Sequence, residues 1–214
     1  MNNKNIIICV GRQLGSGGHD IARMLAMDFH AKYYDRELLN LAAKESGFSE
    51  KIFERNDEHK GFFKSLLGIQ TPHIGGGSGI YSPDFSQESL FQFQSDAIRK
   101  AASEGSCVFV GRCADYVLRD MPNVLSVFIT ASMRYRVEQI LAHKDVTPKE
   151  AKHIILQAEG HRASYYNYYT GKKWGAAESY DLCIDSSILG MVETEKIIAN
   201  FVRKRFEIPL TPTP

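Results

Sequence analysis

Four short apolar runs, Ile6–Val10, Cys107–Val110, Val124–Thr130 and Leu182–Ile184, read as strands buried on both faces, with Lys32–Tyr34 as a shorter fifth candidate. Helical periodicity follows them in His19–His30, Arg36–Ser46, Glu88–Glu104, Ala114–Arg119, Met133–His143, Lys149–Tyr169 and Met191–Arg205. Thr147-Pro148 caps the sixth of these helices, with proline at the first helical position and Glu150 in the first turn. Strands alternating with helices predict βα units wound on both faces of a parallel sheet.

The segment 70–86 breaks this pattern. It carries Gly-Gly-Gly-Ser-Gly at 75–79 between Pro72 and Pro83, and it reads as a mobile loop, either a binding segment or a surface insert. The Pro-rich residues 209–214 are expected to form a flexible tail, leaving 1–208 as one domain.

Composition changes this picture little. A chain of 214 residues with 43% hydrophobic and 24% charged positions suits one soluble α/β domain with a substantial core. The 26 basic and 25 acidic residues leave a net charge of +1, so no global field favours nucleic acid and any anion site must be local. Cys9, Cys107, Cys113 and Cys183 lie in or beside apolar runs without metal-ligand spacing, which predicts buried, reduced thiols. No signal-peptide pattern or run of about 20 apolar residues is present, so the expectation is a cytoplasmic protein with no membrane partner. The seven histidines form no H-x-x-x-H pattern, and no zinc site is predicted.

The chemistry concentrates where the first strand empties into a glycine-rich turn and a helix follows at once. Gly11, Gly15, Ser16, Gly17 and Gly18, with His19 and Asp20, would place backbone N–H groups at a helix N-terminus, which is a ready phosphate site. The lysine of a standard phosphate loop is missing: counting back from Ile21-Ala22, its slot falls on Gly18, and the metal-binding hydroxyl slot falls on His19 and Asp20. Arg12 starts the same loop and is the candidate to supply the missing charge. Reading the residues after the other strands yields Asp35 and Arg36, then Gly111 and Arg112, then Ser132, Arg134 and Arg136. Three strand ends in a row deliver arginine, which suits bidentate recognition of phosphate.

These blocks resemble the cytidylate kinase-like branch of the P-loop nucleoside monophosphate kinases. The matching stretches are G-R-Q-L-G-S-G-G-H-D-I-A (11–22), Y-D-R-E-L-L (34–39), V-G-R-C-A-D-Y-V-L (110–118), F-I-T-A-S-M-R-Y-R (128–136), R-A-S-Y-Y-N-Y-Y-T-G-K-K-W-G (162–175) and Y-D-L-C-I-D-S (180–186). The resemblance implies a three-layer α/β/α P-loop kinase fold with a five-stranded parallel sheet, a monophosphate-binding insert at about 36–104 and a helical lid at about 145–175. It also implies ATP and Mg²⁺ as cofactors and a small-molecule acceptor.

Carried over residue by residue, Gly15, Ser16, Gly17 and Gly18 wrap the donor phosphates, while Asp35 and Arg36 begin the acceptor segment. Arg112 aligns with the arginine of a Gly-Arg-Asp turn that holds the acceptor nucleotide. The aspartate of that turn is Cys113 here, a departure that bears on selectivity for cytosine. In the lid, Glu159 and Arg162 form an i, i+3 pair whose arginine would reach the transferring phosphate, with Arg134 and Arg136 in support. Ser16, Asp20 or water would hold the metal. Tyr165, Tyr166, Tyr168, Tyr169 and Trp174 either stack on a base or pack the lid against the domain.

Three functions fit these residues: a kinase of CMP, dCMP or another nucleoside monophosphate; a kinase of a non-nucleotide metabolite; and a nucleotide-binding regulator with little catalysis.

Overall fold

The computed structural model describes residues 5–36 and 83–208. The helix expected at 36–46, most of the acceptor insert, most of the segment 70–86 and the tail lie outside the described residues.

Five strands form one sheet: β1 (Ile7–Arg12), β2 (Lys32–Tyr34), β3 (Cys107–Val110), β4 (Val124–Thr130) and β5 (Leu182–Asp185). Their order is β2-β3-β1-β4-β5, and every pairing is parallel. Among the described residues, the α-helices are α1 (Gly18–Asp28), α2 (Pro83–Glu104), α3 (Ala114–Val117), α4 (Met133–His143), α5 (Pro148–Thr170) and α6 (Ser186–Phe206).

Alternation along β1 sorts the core into two layers, because successive side chains leave opposite faces of a strand. Ile8 and Val10 pack with Ile21 and Leu25 of α1 and Ile198 and Val202 of α6. Ile7 and Cys9 pack with Ile98 and Ala102 of α2 and with Ala114 and Val117 of α3. This is the three-layer α/β/α arrangement. A third cluster, Ile140 with Ala151 and Ile155, joins α4 to α5 beside Leu14 of the glycine loop. Each fully buried Ile, Leu or Val side chain in these clusters contributes about 1.5–3 kcal/mol.

Several boundaries differ from the sequence expectations in ways that matter for the site. β1 runs on to Arg12, so that residue closes a strand rather than opening a loop. Residues 83–86, expected in the loop, already belong to α2, consistent with Pro83 as a helix-starting residue. α6 starts at Ser186 with Asp185 as its N-cap, and Gly190 (φ 79°, ψ 173°) kinks it. α5 carries the expected capping box, with Thr147 and Glu150 bonding reciprocally. All four cysteines are free; Cys9, Cys107 and Cys113 are buried, whereas Cys183 is exposed because β5 is an edge strand. Among the described residues, no helix is long and apolar enough to cross a membrane.

Candidate active site

β1 sits between β3 and β4: the chain first adds β2 and β3 on one side of it, then crosses to add β4 and β5 on the other. Ligand crevices form at such a reversal, beyond the carboxyl ends of the strands. A cavity of about 830 Å³ opens there, lined by Cys9–Arg12 of β1, by Val110 at the end of β3 and by residues 111–113 beyond it.

The glycine loop beside it is held from several directions. Gln13 Oε1 accepts from the Ala131 N–H at 3.1 Å and from the Thr130 hydroxyl, tying the loop to the end of β4. Ser16 Oγ donates to the Gln13 carbonyl at 2.9 Å, and Ser186 Oγ donates to the Ser16 carbonyl at 2.7 Å. Gly15 (φ 81°) is needed both for its left-handed backbone and for space: a Cβ there would meet the Arg136 carbonyl at 2.8 Å. Gly17 is the N-cap of α1 and provides no side-chain cap. The first N–H groups of an α-helix have no intrahelical partner, so this end is open to an anion. Ser16 is fully buried, and its hydroxyl proton is used in the bond to Gln13.

Arg12 enters from the end of β1 across two glycines. A Cβ on Gly18 would lie 2.5 Å from Arg12 Cβ, and a Cβ on Gly111 would lie 2.7 Å from its Nη1. Gly18, the empty lysine slot, is therefore what leaves room for the Arg12 stem. Arg12 Nη2 lies 3.1 Å from His19 Nε2, and His19 Nδ1 lies 3.1 Å from the Tyr33 hydroxyl.

Two further arginines converge on the same place. Arg162 Nη1 donates to the Arg12 carbonyl at 3.2 Å. Arg112 lies 5.0 Å above the Tyr165 ring, on a turn where Gly111, Arg112 and Cys113 all have positive φ (76°, 58° and 56°). Left-handed backbone costs about 1–2 kcal/mol at each non-glycine residue, and such strain gathers at functional sites. Burial first, then repulsion from Arg162 and Arg112, pulls the pKa of Arg12 down to about 9. Arg162 is lowered too, by burial and then by Arg112, against a pull upward from Glu159.

With Arg23 and Arg36, five arginines line the cavity against two carboxylates, Asp35 and Asp115. The arrangement suits a ligand with several negative charges. Tyr165, Tyr166, Trp174 and Tyr180 also line the cavity, with Tyr165 stacked under Arg112. Tyr166 donates to Asp115 Oδ2 at 2.7 Å, and burial raises the Asp115 pKa.

Of the residues singled out in the sequence, Gly11, Arg12, His19, Asp35, Arg36, Arg112 and Arg162 line this cavity. Gly15, Ser16, Gly17 and Gly18 build the adjoining loop, and Asp20 is exposed in the first turn of α1. The structure does not bring Arg134 to the site: its side chain is 90% exposed and pairs with Glu138 one turn on. Arg136 faces inward instead, one turn before buried Ile140, and pairs with Glu159; their side chains are 5% and 16% exposed. Three residues on along α5, Arg162 feels the charge of Glu159 and donates to the Arg12 carbonyl. Among the aromatic residues, Tyr165, Tyr166 and Trp174 line the cavity, Tyr169 stacks on Phe91 at 4.0 Å and Tyr168 is exposed. Sequence reasoning missed Arg23, Tyr33 and Asp115. Arg23 follows His19 by four residues, so helical phase places it on the same face of α1.

A parallel five-stranded sheet with a glycine loop at the end of β1 and arginines around its mouth defines a P-loop kinase fold. Solved kinases share it: a gluconokinase from Sinorhizobium meliloti (TM-score 0.55, 12% identity, 95% of this chain and 94% of that one) and a shikimate kinase from Bacteroides thetaiotaomicron (TM-score 0.51, 12% identity, 95% and 99%). Residues 7–188 match the family model of the cytidylate kinase-like family, and the chain belongs to that family. A cytidylate kinase from Methanosarcina acetivorans is 25% identical over 188 residues, covering 86% of this chain and 89% of that protein. An uncharacterised protein from Eubacterium ventriosum has a similar structure (TM-score 0.70, 27% identity, 92% and 98%).

Proposed function

We propose that this kinase transfers the γ-phosphoryl group of ATP to a nucleoside monophosphate of the CMP or dCMP type. The convergence of Arg12, Arg112 and Arg162 beside an uncapped helix N-terminus carries this reading, because three mutually repelling cations need an anionic ligand to offset them. Backbone N–H groups at Gly17 and Gly18, together with Arg12, hold the donor phosphates. Arg36 and Arg112 hold the acceptor phosphate, with Asp35 beside them. Arg162 reaches between the two from α5 and stabilises the charge that spreads over the equatorial oxygens during transfer. The aromatic wall excludes water. Arg136 and Glu159, placed among the site residues from sequence alone, fix α5 to α4 and so position Arg162.

Mg²⁺, when bound, would supply positive charge against the donor phosphates, and Asp20 in the first turn of α1 would hold it, directly or through water. Among the described residues no three His, Cys, Asp or Glu side chains gather into a metal site. Asp35 favours one second reading, since a carboxylate beside the transfer site would accept the proton of a hydroxyl acceptor in a non-nucleotide metabolite.

ADP release from ATP·Mg²⁺ with CMP, dCMP, UMP, AMP or GMP, beside a no-acceptor control and an Arg162→Ala variant, tests the proposal. Turnover that requires one pyrimidine nucleotide and falls at least a hundredfold in the variant is the expected result. ATP binding without turnover on any of them would overturn it in favour of a metabolite acceptor or a regulatory role.

A further inference from the structure

His19 stands where a phosphate loop usually carries a metal-binding hydroxyl, yet both of its ring nitrogens are already engaged. Nε2 faces Arg12 Nη2 and Nδ1 faces the Tyr33 hydroxyl, each at 3.1 Å. An arginine side chain can only donate hydrogen bonds, so Nε2 must accept. The ring is then neutral, with its proton on Nδ1, donated to Tyr33.

Tyr33 is fixed in turn: it lies on β2, and the Arg23 guanidinium sits 5.4 Å above its ring. The contacts form a chain from β2 through α1 to the end of β1. Arg12 needs such a hold. Gly18 and Gly111 leave space for its side chain but do not direct it, and an arginine side chain carries about 2 kcal/mol of rotamer entropy.

We propose that His19, oriented by Tyr33, is a positioning residue that aims Arg12 at the donor phosphates rather than a ligand of the metal. The proposal rests on the reading that Arg12 contacts those phosphates. The loop thus carries two linked changes from the usual pattern. The cation comes from β1, which requires glycine at position 18, and the residue at position 19 supplies the acceptor that steadies it.

The test is a double-mutant cycle on the full chain, with Arg12→Ala, His19→Ala and the double variant. ATP affinity is measured in EDTA by competition with a fluorescent nucleotide, which isolates the protein–phosphate contact from any metal. His19→Ala is expected to weaken ATP about tenfold, Arg12→Ala more, and the double variant no more than Arg12→Ala. His19→Gln, whose side-chain oxygen can accept from Arg12, should recover most of the loss. It also keeps the test available should His19→Ala fail to fold. In the wild-type protein, a long-range ¹H–¹⁵N spectrum at pH 7 should show His19 as the Nδ1–H tautomer.

Additive losses in the cycle, an Nε2–H or charged ring, or wild-type ATP affinity for His19→Ala in EDTA with an altered Mg²⁺ requirement would each overturn the proposal. If Arg12→Ala itself binds ATP and turns over normally, the donor-site reading of Arg12 falls instead, which separates the two failures.

Discussion

The stem of Arg12 and a side chain on Gly18 would claim the same volume: a Cβ built on Gly18 lies 2.5 Å from Arg12 Cβ and 2.9 Å from its Cγ. Volume, rather than left-handed backbone, excludes a side chain at position 18. Restoring the standard lysine by Gly18→Lys should therefore displace Arg12 and weaken ATP binding by about tenfold, or about 1.4 kcal/mol. Pairing it with Arg12→Ser should recover ATP affinity, because the lysine then has both room and an unopposed phosphate to meet. Titrating the two variants and the wild-type protein with ATP checks this. A single variant that binds ATP more tightly than the wild type would show that the two side chains do not compete.

Arg12 also sets function against stability. Its Nε is buried with no hydrogen-bond partner, and Arg112 and Arg162 repel its charge. An unsatisfied buried donor costs about 1–3 kcal/mol. Arg12→Met, which keeps an unbranched stem, should raise unfolding stability by about 1–2 kcal/mol in urea. Inorganic triphosphate should raise the melting temperature of the wild-type protein and leave that of the variant nearly unchanged. A variant that is both less stable and still stabilised by triphosphate would contradict this account.

Much of the scaffold was legible in the sequence because its signals are local. Runs such as Ile6–Val10 and Cys107–Val110 announce buried strands, and Gly15 and Gly17 mark positions whose positive φ other residues rarely adopt. The phase of side chains at the end of a strand is harder to read. Arg134 and Arg136 both follow β4, but only packing of α4 on α5 decides that Arg136 turns in with Ile140 while Arg134 turns out. Tyr33 was invisible for a different reason. It sits in a strand of three residues, and its role exists only once α1 crosses beside β2. Asp115, two positions beyond the cysteine that departs from the family pattern, acquires its place only when Tyr166 of α5 reaches it.

Arg136 and Glu159 pair largely out of solvent, joining α4 to α5, and Arg136 Nε has no partner of its own. Breaking a buried pair by removing one charge leaves the other uncompensated, at about 3–5 kcal/mol. Glu159→Gln should destabilise the fold by roughly 3 kcal/mol and reduce turnover with it, through the seating of α5. Arg134→Ala, which breaks only an exposed pair, should change stability by less than about 0.5 kcal/mol. Urea unfolding of the two variants measures the contrast directly. Equal effects would mean that the burial of Arg136 does not matter energetically.

The carboxylate of Asp115 gives the protein a pH signature of defined sign. Burial raises its pKa in the folded state above the ordinary carboxylate value of 3.8, against the opposing effect of the Tyr166 hydrogen bond. Between 3.8 and that raised value the folded chain holds a proton that the unfolded chain has released, so this group's contribution to stability declines as pH rises through the window. Above the window the full cost of a buried charge is present. Asp115→Asn removes the charge and keeps an oxygen to accept from Tyr166. The variant should therefore be the more stable protein at pH 8, its advantage should shrink as pH falls through the window, and it should vanish below about pH 3.8. Urea unfolding of both proteins across this range tests the sign, because the difference between them cancels every group they share. A wild-type protein that is the more stable of the two at pH 8 would mean that the buried carboxylate is favourably compensated, by Lys172 or by the neighbouring backbone N–H groups, rather than costly.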